Sequence, residues 1–278
     1  MKKTLLEAIL DPYRLSVRFQ PIFHMSLSGR RIDSLEALIR GPLGTKFERA
    51  DVLFDYVHRK RAEAAVDRSC IVAIFDALAE VPAHFRINVN AHASTLGKNL
   101  GFADFLCNEA QKRSLALERF TVEVVEHAPS YNSPELLRSI RALRDAGMRI
   151  ALDDVGLGLS NYRMMLDCHP DYFKLDAYFV RGLAGDSDRC AVVQSVVSLA
   201  QAMGGCVVAE GAESRHDLTM LSRMAVELFQ ANLLCSAMSI EELRFAGHLG
   251  PSEPALKTQE PAQITDDSEQ RSVFLVRQ

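Results

Sequence analysis

The sequence lacks the features that would place it in a membrane, in an oxidising compartment or on a nucleic acid. No stretch approaches the ~18 consecutive apolar residues of a membrane span, and the opening MKKTLLEAIL is interrupted by Glu7 and followed by no small-residue cleavage site. The six cysteines form no CxxC pair and no Cys/His cluster at zinc spacing, so we expect reduced, buried thiols. A net charge of -4 supplies no basic field for DNA, RNA or an anionic membrane. These absences predict a cytoplasmic protein that binds neither a nucleic-acid polymer nor a membrane.

Glycine and proline are not in excess either, with 15 and 10 among 278 residues, while 48% of residues are hydrophobic. This composition excludes disorder as the main state and predicts a folded protein with a large core. The length fits one α/β barrel and also fits two small domains, so length alone does not choose between them.

Short β-like runs alternate with helical patterns from Leu15 onward, which is the order that a parallel sheet with crossover helices requires. Eight runs qualify, and eight strands predict an α/β fold, a closed (β/α)8 TIM-like barrel. The predicted strands span residues 17–23, 32–39, 86–90, 119–125, 149–154, 171–176, 206–210 and 227–230.

Two crossover helices have clear ends. One begins at Ser133, with proline at its first position, and stops at Gly147. The other is capped by Asp186 or Ser187 and ends at the glycines 204–205. Its predicted buried stripe consists of Val192, Val193, Val196, Val197 and Ala200.

Three segments follow from these patterns. Residues 1–14 are predicted to form a helical lead-in and residues 15–250 the barrel domain. Residues 251–278 are rich in proline, glutamine and acidic side chains and lack periodicity, which predicts a disordered tail.

Polar side chains collect near the carboxyl ends of the predicted strands, where a barrel places its active site. They come from seven strands and are Glu36, Asn88, Glu123, Asp153, Asp154, Lys174, Glu210 and Gln230. A single strand-end carboxylate is usually a helix cap or a solvated turn residue, but the series as a whole predicts one shared site.

The donor set indicates the metal. Carboxylate and amide oxygens from Glu36, Asn88, Glu123, Asp153 and Asp154 suit Mg²⁺ or Mn²⁺, whereas histidine and thiolate ligands are absent from these strand ends. We expect two ions, because two ions can activate a water and stabilise both oxygens of an in-line displacement at phosphorus.

Two arguments from side-chain alternation refine this site. Adjacent residues of a strand point to opposite faces, so Asp153 and Asp154 share a metal pair only if the strand breaks there; Gly156 and Gly158 are the expected break. Arg40 has the parity of Glu36 and is expected to bind phosphate from the same side.

Lys174 has two open roles. It accepts or shares the proton of the attacking water if nearby cations lower its pKa, or it holds the water or a phosphate oxygen in place. The sequence does not decide between them.

These residues resemble the EAL domain family, whose members hydrolyse cyclic di-GMP to linear pGpG. The tripeptide Glu36-Ala37-Leu38 lies within EALIRG, with FQPI at 19–22 before it. The match becomes specific through the order and spacing of the motifs that follow, over roughly residues 15–245. They are INVN, VEVVE, ALDD, FKLD, AEGAE and Gln230.

The resemblance implies roles for these positions. The implied metal ligands are Glu36, Asn88, Glu123, Asp153 and Asp154, and Lys174 and Glu210 complete the catalytic centre together with Glu36. Gln20, Arg40 and Gln230 are implied to contact the dinucleotide, and Glu126 to brace the loop after Asp154. It also implies an EAL-type barrel with one antiparallel strand and pairing as a homodimer.

The chain departs from the family pattern at three places. DDFGTGYSS becomes DDVGLGLSN at residues 153–161, the tryptophan after the EAL arginine becomes Gly41, and QGY becomes QAN at 230–232; the chain has no tryptophan. These changes support an alternative function, a weak or inactive EAL domain that acts as a cyclic di-GMP receptor or binds a regulatory protein partner.

Overall fold

Eight strands close into a barrel in the computed structural model, which describes residues 5–26, 29–98, 101–125, 133–157 and 162–249. All eight predicted strands are confirmed, with ends that differ by a few residues. They are β1 (Ser16–Ser26), β2 (Gly29–Arg40), β3 (Arg86–His92), β4 (Phe120–Val125), β5 (Arg149–Val155), β6 (Tyr172–Leu175), β7 (Cys206–Glu210) and β8 (Leu228–Gln230).

The first strand runs opposite to the others. β1 pairs antiparallel with β2 and with β8, whereas all pairs from β2–β3 to β7–β8 are parallel. The expected barrel with one antiparallel strand is therefore confirmed. The carboxyl ends of β2 to β8 share one rim with the amino end of β1, and we call this rim the mouth.

Helices connect the strands around the barrel. Their bounds are α1 (Leu5–Ile9), α2 (Ala50–Lys60), α3 (Glu63–Ala77), α4 (Ala93–Lys98), α5 (Phe102–Lys112), α6 (Ser133–Asp145), α7 (Tyr162–Cys168), α8 (Ala177–Val180), α9 (Ser187–Ala202), α10 (Arg215–Arg223) and α11 (Ile240–Phe245). Among these described helices, none is long and apolar enough to cross a membrane.

The two helices predicted with clear ends are present as α6 and α9. The Asp186 carboxylate caps α9 by accepting a hydrogen bond of 2.9 Å from the Arg189 backbone N–H. The predicted stripe of α9 is partly wrong, because Val192 is 42% exposed. The buried positions are Val193, Val197 and Ala200, which repeat at the helical spacing of four and three, and Val192 lies one residue off that line.

The cysteines are free, as expected, but they are not all buried. Cys70, Cys168 and Cys235 are buried, whereas Cys206 is exposed. Cys206 is the first residue of β7, so it lies at the end of the barrel opposite the mouth. The expectation that all the thiols are buried is therefore wrong for Cys206, because β7 is exposed at its first residue.

A small apolar layer fills the barrel below the mouth. Ile22, Val208 and Leu228 pack together, with Tyr172 against them. Three of these lie two residues before Lys174, Glu210 or Gln230, and Ile22 lies two residues after Gln20 in the reversed strand. The alternation of side chains thus places the polar residues one layer higher, above an apolar floor.

Candidate active site

The ammonium of Lys174 lies at the centre of the polar layer. Its Nζ is 2.6 Å from Glu123 Oε2 and 2.8 Å from Glu210 Oε1, and 3.3 Å from carboxylate oxygens of Glu36 and Asp153. Lys174 is only 1% exposed. Five different strands therefore bring their side chains to one buried cluster, as the sequence predicted from the strand ends.

Amide side chains hold the two most buried carboxylates. Asn88 Nδ2 donates to Glu123 Oε1 at 2.7 Å. Glu36 accepts hydrogen bonds from Asn90 Nδ2 at 2.8 Å and from Gln230 Nε2 at 2.6 Å. These hydrogen bonds fix both carboxylates in orientation before any ligand binds.

Asp153 and Asp154 both reach the mouth because β5 loses its regular strand geometry at this pair. The pairing of β5 with β6 shifts register between Leu152 and Val155, and Asp154 has a φ of 51°, in the left-handed region. The break predicted at the glycines thus begins at Asp154 itself, and Gly156, with a φ of 96°, follows it. An extended strand would send one of the two carboxylates outward, so this turn is what allows both to reach the mouth.

The carboxylates shift one another's pKa values. Burial, with the charges of Asp153 and Glu36 opposing that of Lys174, raises the pKa of Glu210 to about 8. Burial and the neighbouring Asp153 carboxylate raise the pKa of Asp154 to about 6. Burial and the charge of Glu36 likewise raise the pKa of Glu123 well above its usual range.

Two groups of the cluster stay charged despite burial. Burial alone would raise the pKa of Glu36, but Lys174 and two amide donors lower it. Burial alone would lower the pKa of Lys174, but the surrounding carboxylates, Asp153 and Glu123 foremost, raise it well above its ordinary value. One ammonium thus faces five carboxylates, and this excess of negative charge is what divalent cations would neutralise.

The donor geometry fits a divalent cation. Carboxylate oxygens of Asp153, Asp154 and Glu210 lie within 4.8 Å of one another. Among the described residues, Asn88 Oδ1 is a buried oxygen that accepts no hydrogen bond. Oxygen donors of this kind are those that Mg²⁺, Mn²⁺ and Ca²⁺ prefer.

Of the residues expected to contact a dinucleotide, Gln20 and Gln230 contact each other, whereas Arg40 lines a cavity that neither of them lines. Gln20 Oε1 accepts a hydrogen bond of 3.2 Å from Gln230 Nε2, which connects it to Glu36. Arg40 donates to the Ile39 carbonyl at 3.1 Å and lines a cavity of about 250 Å³ beside Asp153 and Asp154. Glu126, expected to brace the loop, lies outside the described residues.

Two residues of the site were missed in the sequence. Asn90 lies opposite Glu123 in the β3–β4 register, bonds Glu36 and lines the same cavity. The sequence signal that could have identified Asn90 is its position two residues beyond Asn88 on one strand, which gives both side chains the same face. Asn232, noted only as a lost aromatic, accepts a hydrogen bond of 3.3 Å from Gln20 Nε2.

Comparison with known proteins identifies the family to which this barrel belongs. A family model described as EAL domain matches residues 2–237. The cyclic di-GMP phosphodiesterase NbdA of Pseudomonas aeruginosa is 27% identical over 257 residues, which cover 87% of this chain and 31% of NbdA. The chain thus spans less than a third of that relative.

Solved structures are similar in fold. The calcium/cy-diGMP complex of Klebsiella pneumoniae BlrP1 matches with a TM-score of 0.72 at 25% identity, over 86% of this chain and 58% of that chain. The manganese/cy-diGMP complex of BlrP1 matches with a TM-score of 0.71 at 25% identity, over 82% of this chain and 61% of that chain. The family model covers most of the sequence, and the barrel agrees with it: this chain belongs to the EAL domain family.

Proposed function

We propose that this chain hydrolyses a phosphodiester bond of cyclic di-GMP to linear pGpG in a metal-dependent reaction. The observation that carries the proposal is the buried Lys174 cluster, in which carboxylates from four further strands surround one ammonium. The name of NbdA, a cyclic di-GMP phosphodiesterase, supports the substrate. The BlrP1 complexes, which contain cyclic di-GMP with calcium or manganese, support both the ligand and the binding of divalent metal.

The residues proposed to hold the metal are those already named, Glu36, Asn88, Glu123, Asp153 and Asp154. Asn90 joins them, because it lies at the level of Glu123 and faces the cavity. Two ions, Mg²⁺ or Mn²⁺, would activate the attacking water and stabilise the charge that develops at phosphorus.

The remaining residues are proposed to bind and orient the attacking water and the dinucleotide. In the site without metal, the surrounding carboxylates raise the pKa of Lys174 and keep it an ammonium. In that form it would hold the water or a phosphate oxygen by hydrogen bonding. Glu210, 2.8 Å away, positions Lys174. Arg40 is proposed to bind a phosphate of the dinucleotide, and Gln20 and Gln230 to orient it.

We also propose residues 15–250 as the catalytic unit, with a homodimer as its assembly. In the reaction, water adds across one P–O bond, so phosphorus gains the hydroxyl and the ribose oxygen takes the proton. The ring opens at one of its two phosphates, and pGpG is released.

A separate observation supports a second candidate function. Val155 and Leu157 follow Asp154 where the family pattern has an aromatic and a hydroxyl, and Leu157 is 37% exposed. A barrel with this altered turn that binds cyclic di-GMP without hydrolysing it would act as a receptor, or as a regulator that binds another protein.

Turnover by the full chain tests both functions. Purified protein is incubated with cyclic di-GMP and Mg²⁺ or Mn²⁺, and pGpG is separated by chromatography. We expect pGpG from the wild type, and a loss of roughly 100-fold or more in kcat for Glu36→Gln and Lys174→Met. Glu227→Gln, which alters an exposed carboxylate before β8, is the matched control and keeps its activity.

The outcomes separate the two functions. Absence of pGpG with either metal contradicts hydrolysis. If the wild type binds the nucleotide without turnover, and Lys174→Met changes nothing in the products, the receptor function is favoured.

A further inference from the structure

Asp154 is held in a backbone conformation that needs support. Its φ of 51° lies in the left-handed region, which costs a residue with a β-carbon about 1 kcal/mol or more. The conformation is what turns the Asp154 carboxylate toward Asp153 and Glu210. Some contact must therefore keep β5 from returning to a regular strand.

The turn after Asp154 supplies part of that support. The Leu157 backbone N–H donates to the Asp154 carbonyl at 3.1 Å, and Val155 is fully buried and pairs with Leu175 of β6. Gly156 occupies the third position of this turn with a φ of 96°, which favours glycine. These contacts are local and leave the outer side of Gly156 to be covered by another element.

Phe179 covers it. A β-carbon placed on Gly156 would lie 2.6 Å from Cε2 and 2.9 Å from Cζ of Phe179, so the ring lies directly against the glycine backbone. Phe179 is partly buried and packs against the main core. It belongs to α8, which the Asp176 carboxylate caps immediately after β6, the strand of Lys174.

We infer that Phe179 is a positioning residue that clamps the Gly156 turn and thereby keeps the Asp153 and Asp154 carboxylates together at the mouth. This inference rests on the proposed function, since its consequence is the affinity of the mouth for divalent cations. Phe179 contacts neither ligand nor water in this role; it acts through the backbone. The short helix α8 thus connects the strand of Lys174 with the bulge of β5.

Binding of Mn²⁺ alone to the full-length chain tests the inference by titration calorimetry. Phe179→Leu removes the ring but keeps an apolar side chain, and we expect Mn²⁺ affinity to fall roughly 10- to 100-fold, as for other residues that orient metal ligands. Phe245→Leu is the matched control, because it makes the same substitution at a ring that is 98% exposed on α11. It should bind Mn²⁺ as the wild type does.

A double-mutant cycle separates the clamp from general damage. Gly156→Ala should weaken Mn²⁺ binding because of both its φ and the collision with the ring. The combination with Phe179→Leu removes the collision, so its loss should be smaller than the product of the two single losses. Saturating Mn²⁺ should restore the turnover of Phe179→Leu, which a collapsed barrel would not recover.

The possible failures are distinguishable. A wild type that binds no Mn²⁺ contradicts the proposed metal-dependent function. A wild type that binds Mn²⁺, with Phe179→Leu equally tight, overturns the positioning role and leaves the function standing. Multiplicative losses in the cycle, or turnover that stays lost at saturating Mn²⁺, overturn it as well.

Discussion

Two asparagines of β3 point into the barrel at different depths. Asn88 lies opposite Glu36 in the β2–β3 register and is 4% exposed, whereas Asn90 lies opposite Glu123 and lines the cavity at the mouth. Both donate an amide hydrogen to a carboxylate of the cluster. Asn90 thus faces the cavity, whereas Asn88 lies deeper, where its amide hydrogen supports Glu123 and its Oδ1 is left for a cation.

Substitution of the two asparagines should give different losses. Asn90→Ala should weaken Mn²⁺ binding by about 10-fold or more, with little loss of folding stability. Asn88→Ala should weaken Mn²⁺ binding too, and it should in addition lower the free energy of unfolding by about 1–3 kcal/mol, because Glu123 Oε1 loses its buried donor. Calorimetric titration and urea unfolding measure the two quantities. Equal Mn²⁺ affinity in Asn90→Ala and the wild type would exclude Asn90 as a ligand.

His92 is the charged partner of Asp67 near the end of β3. Asp67 accepts hydrogen bonds from the His92 backbone N–H at 3.0 Å and is 2.7 Å from its Nδ1. Burial alone would lower the pKa of His92, but Asp67 and Glu63 raise it. His92 is thus a hydrogen-bonded core residue.

The raised pKa fixes the sign of a pH effect on stability. A group whose pKa is higher in the folded state stabilises fully below its unfolded value of about 6.5, and the stabilisation disappears as pH rises through the folded value. The unfolding free energy lost in His92→Gln should thus be larger near pH 6 than near pH 9, by on the order of 1 kcal/mol. Urea unfolding across this range measures it, with His216→Gln, which removes an exposed imidazole from α10, as control. A loss independent of pH would contradict the charged pair.

Parity in the sequence places Asn88 and Asn90 on the same face of β3, but only Asn88 was predicted as a site residue. Parity could not rank them, because depth depends on the stagger between neighbouring strands. The stagger is set by pairings between segments tens of residues apart, such as Asn90 with Glu123.

At the scale of elements, the sequence predicted the regular strands but not the residue at which the backbone of β5 becomes irregular. Alternating apolar residues located all eight strands, and a carboxylate pair at positions 153 and 154 required a break in β5. The break was assigned to glycine because glycine adopts a positive φ most easily. Asp154 adopts it here since the turn closed by Leu157 and the ring of Phe179 hold it, and that ring comes from another element.

The end of β2 depends on a similar close approach. A β-carbon on Gly41 would lie 2.1 Å from the carbonyl oxygen of Phe47, so the segment that follows β2 folds directly onto this glycine. The tryptophan of the family pattern has no space here without moving that backbone. The sequence could show the missing side chain but not the loop that replaces it.

Gly41→Ala should therefore destabilise the fold by about 1–3 kcal/mol, because backbone at Phe47 must shift to relieve the contact. Gly185→Ala is the matched control: its added β-carbon meets nothing within 4 Å and it has no positive φ. Denaturant unfolding of both variants gives the comparison. Equal free energies of unfolding for the two variants would contradict this prediction, because they would show that the segment after β2 shifts without loss of stability.

For the whole molecule, the modest net charge of -4 conceals a strong local imbalance. Five carboxylates and one ammonium meet at the mouth. Burial, together with repulsion from neighbouring carboxylates, raises the pKa values of Glu123, Asp154 and Glu210. The folded state without metal therefore carries an electrostatic cost that the unfolded chain, with its carboxylates in water, does not.

Divalent cations should remove that cost, so that binding raises the stability of the whole barrel. At free Mn²⁺ of about 100 times the dissociation constant, one site adds about 2.7 kcal/mol to the unfolding free energy, since the unfolded chain does not assemble the site. For a chain of this size that corresponds to a rise in Tm of roughly 5 °C relative to protein in EDTA. Asp153→Asn should lose most of this rise, because it removes a carboxylate charge from the cluster, whereas Glu227→Gln should keep it. Thermal unfolding with and without Mn²⁺ measures the effect, and an equal rise in Asp153→Asn would place the bound metal away from the mouth.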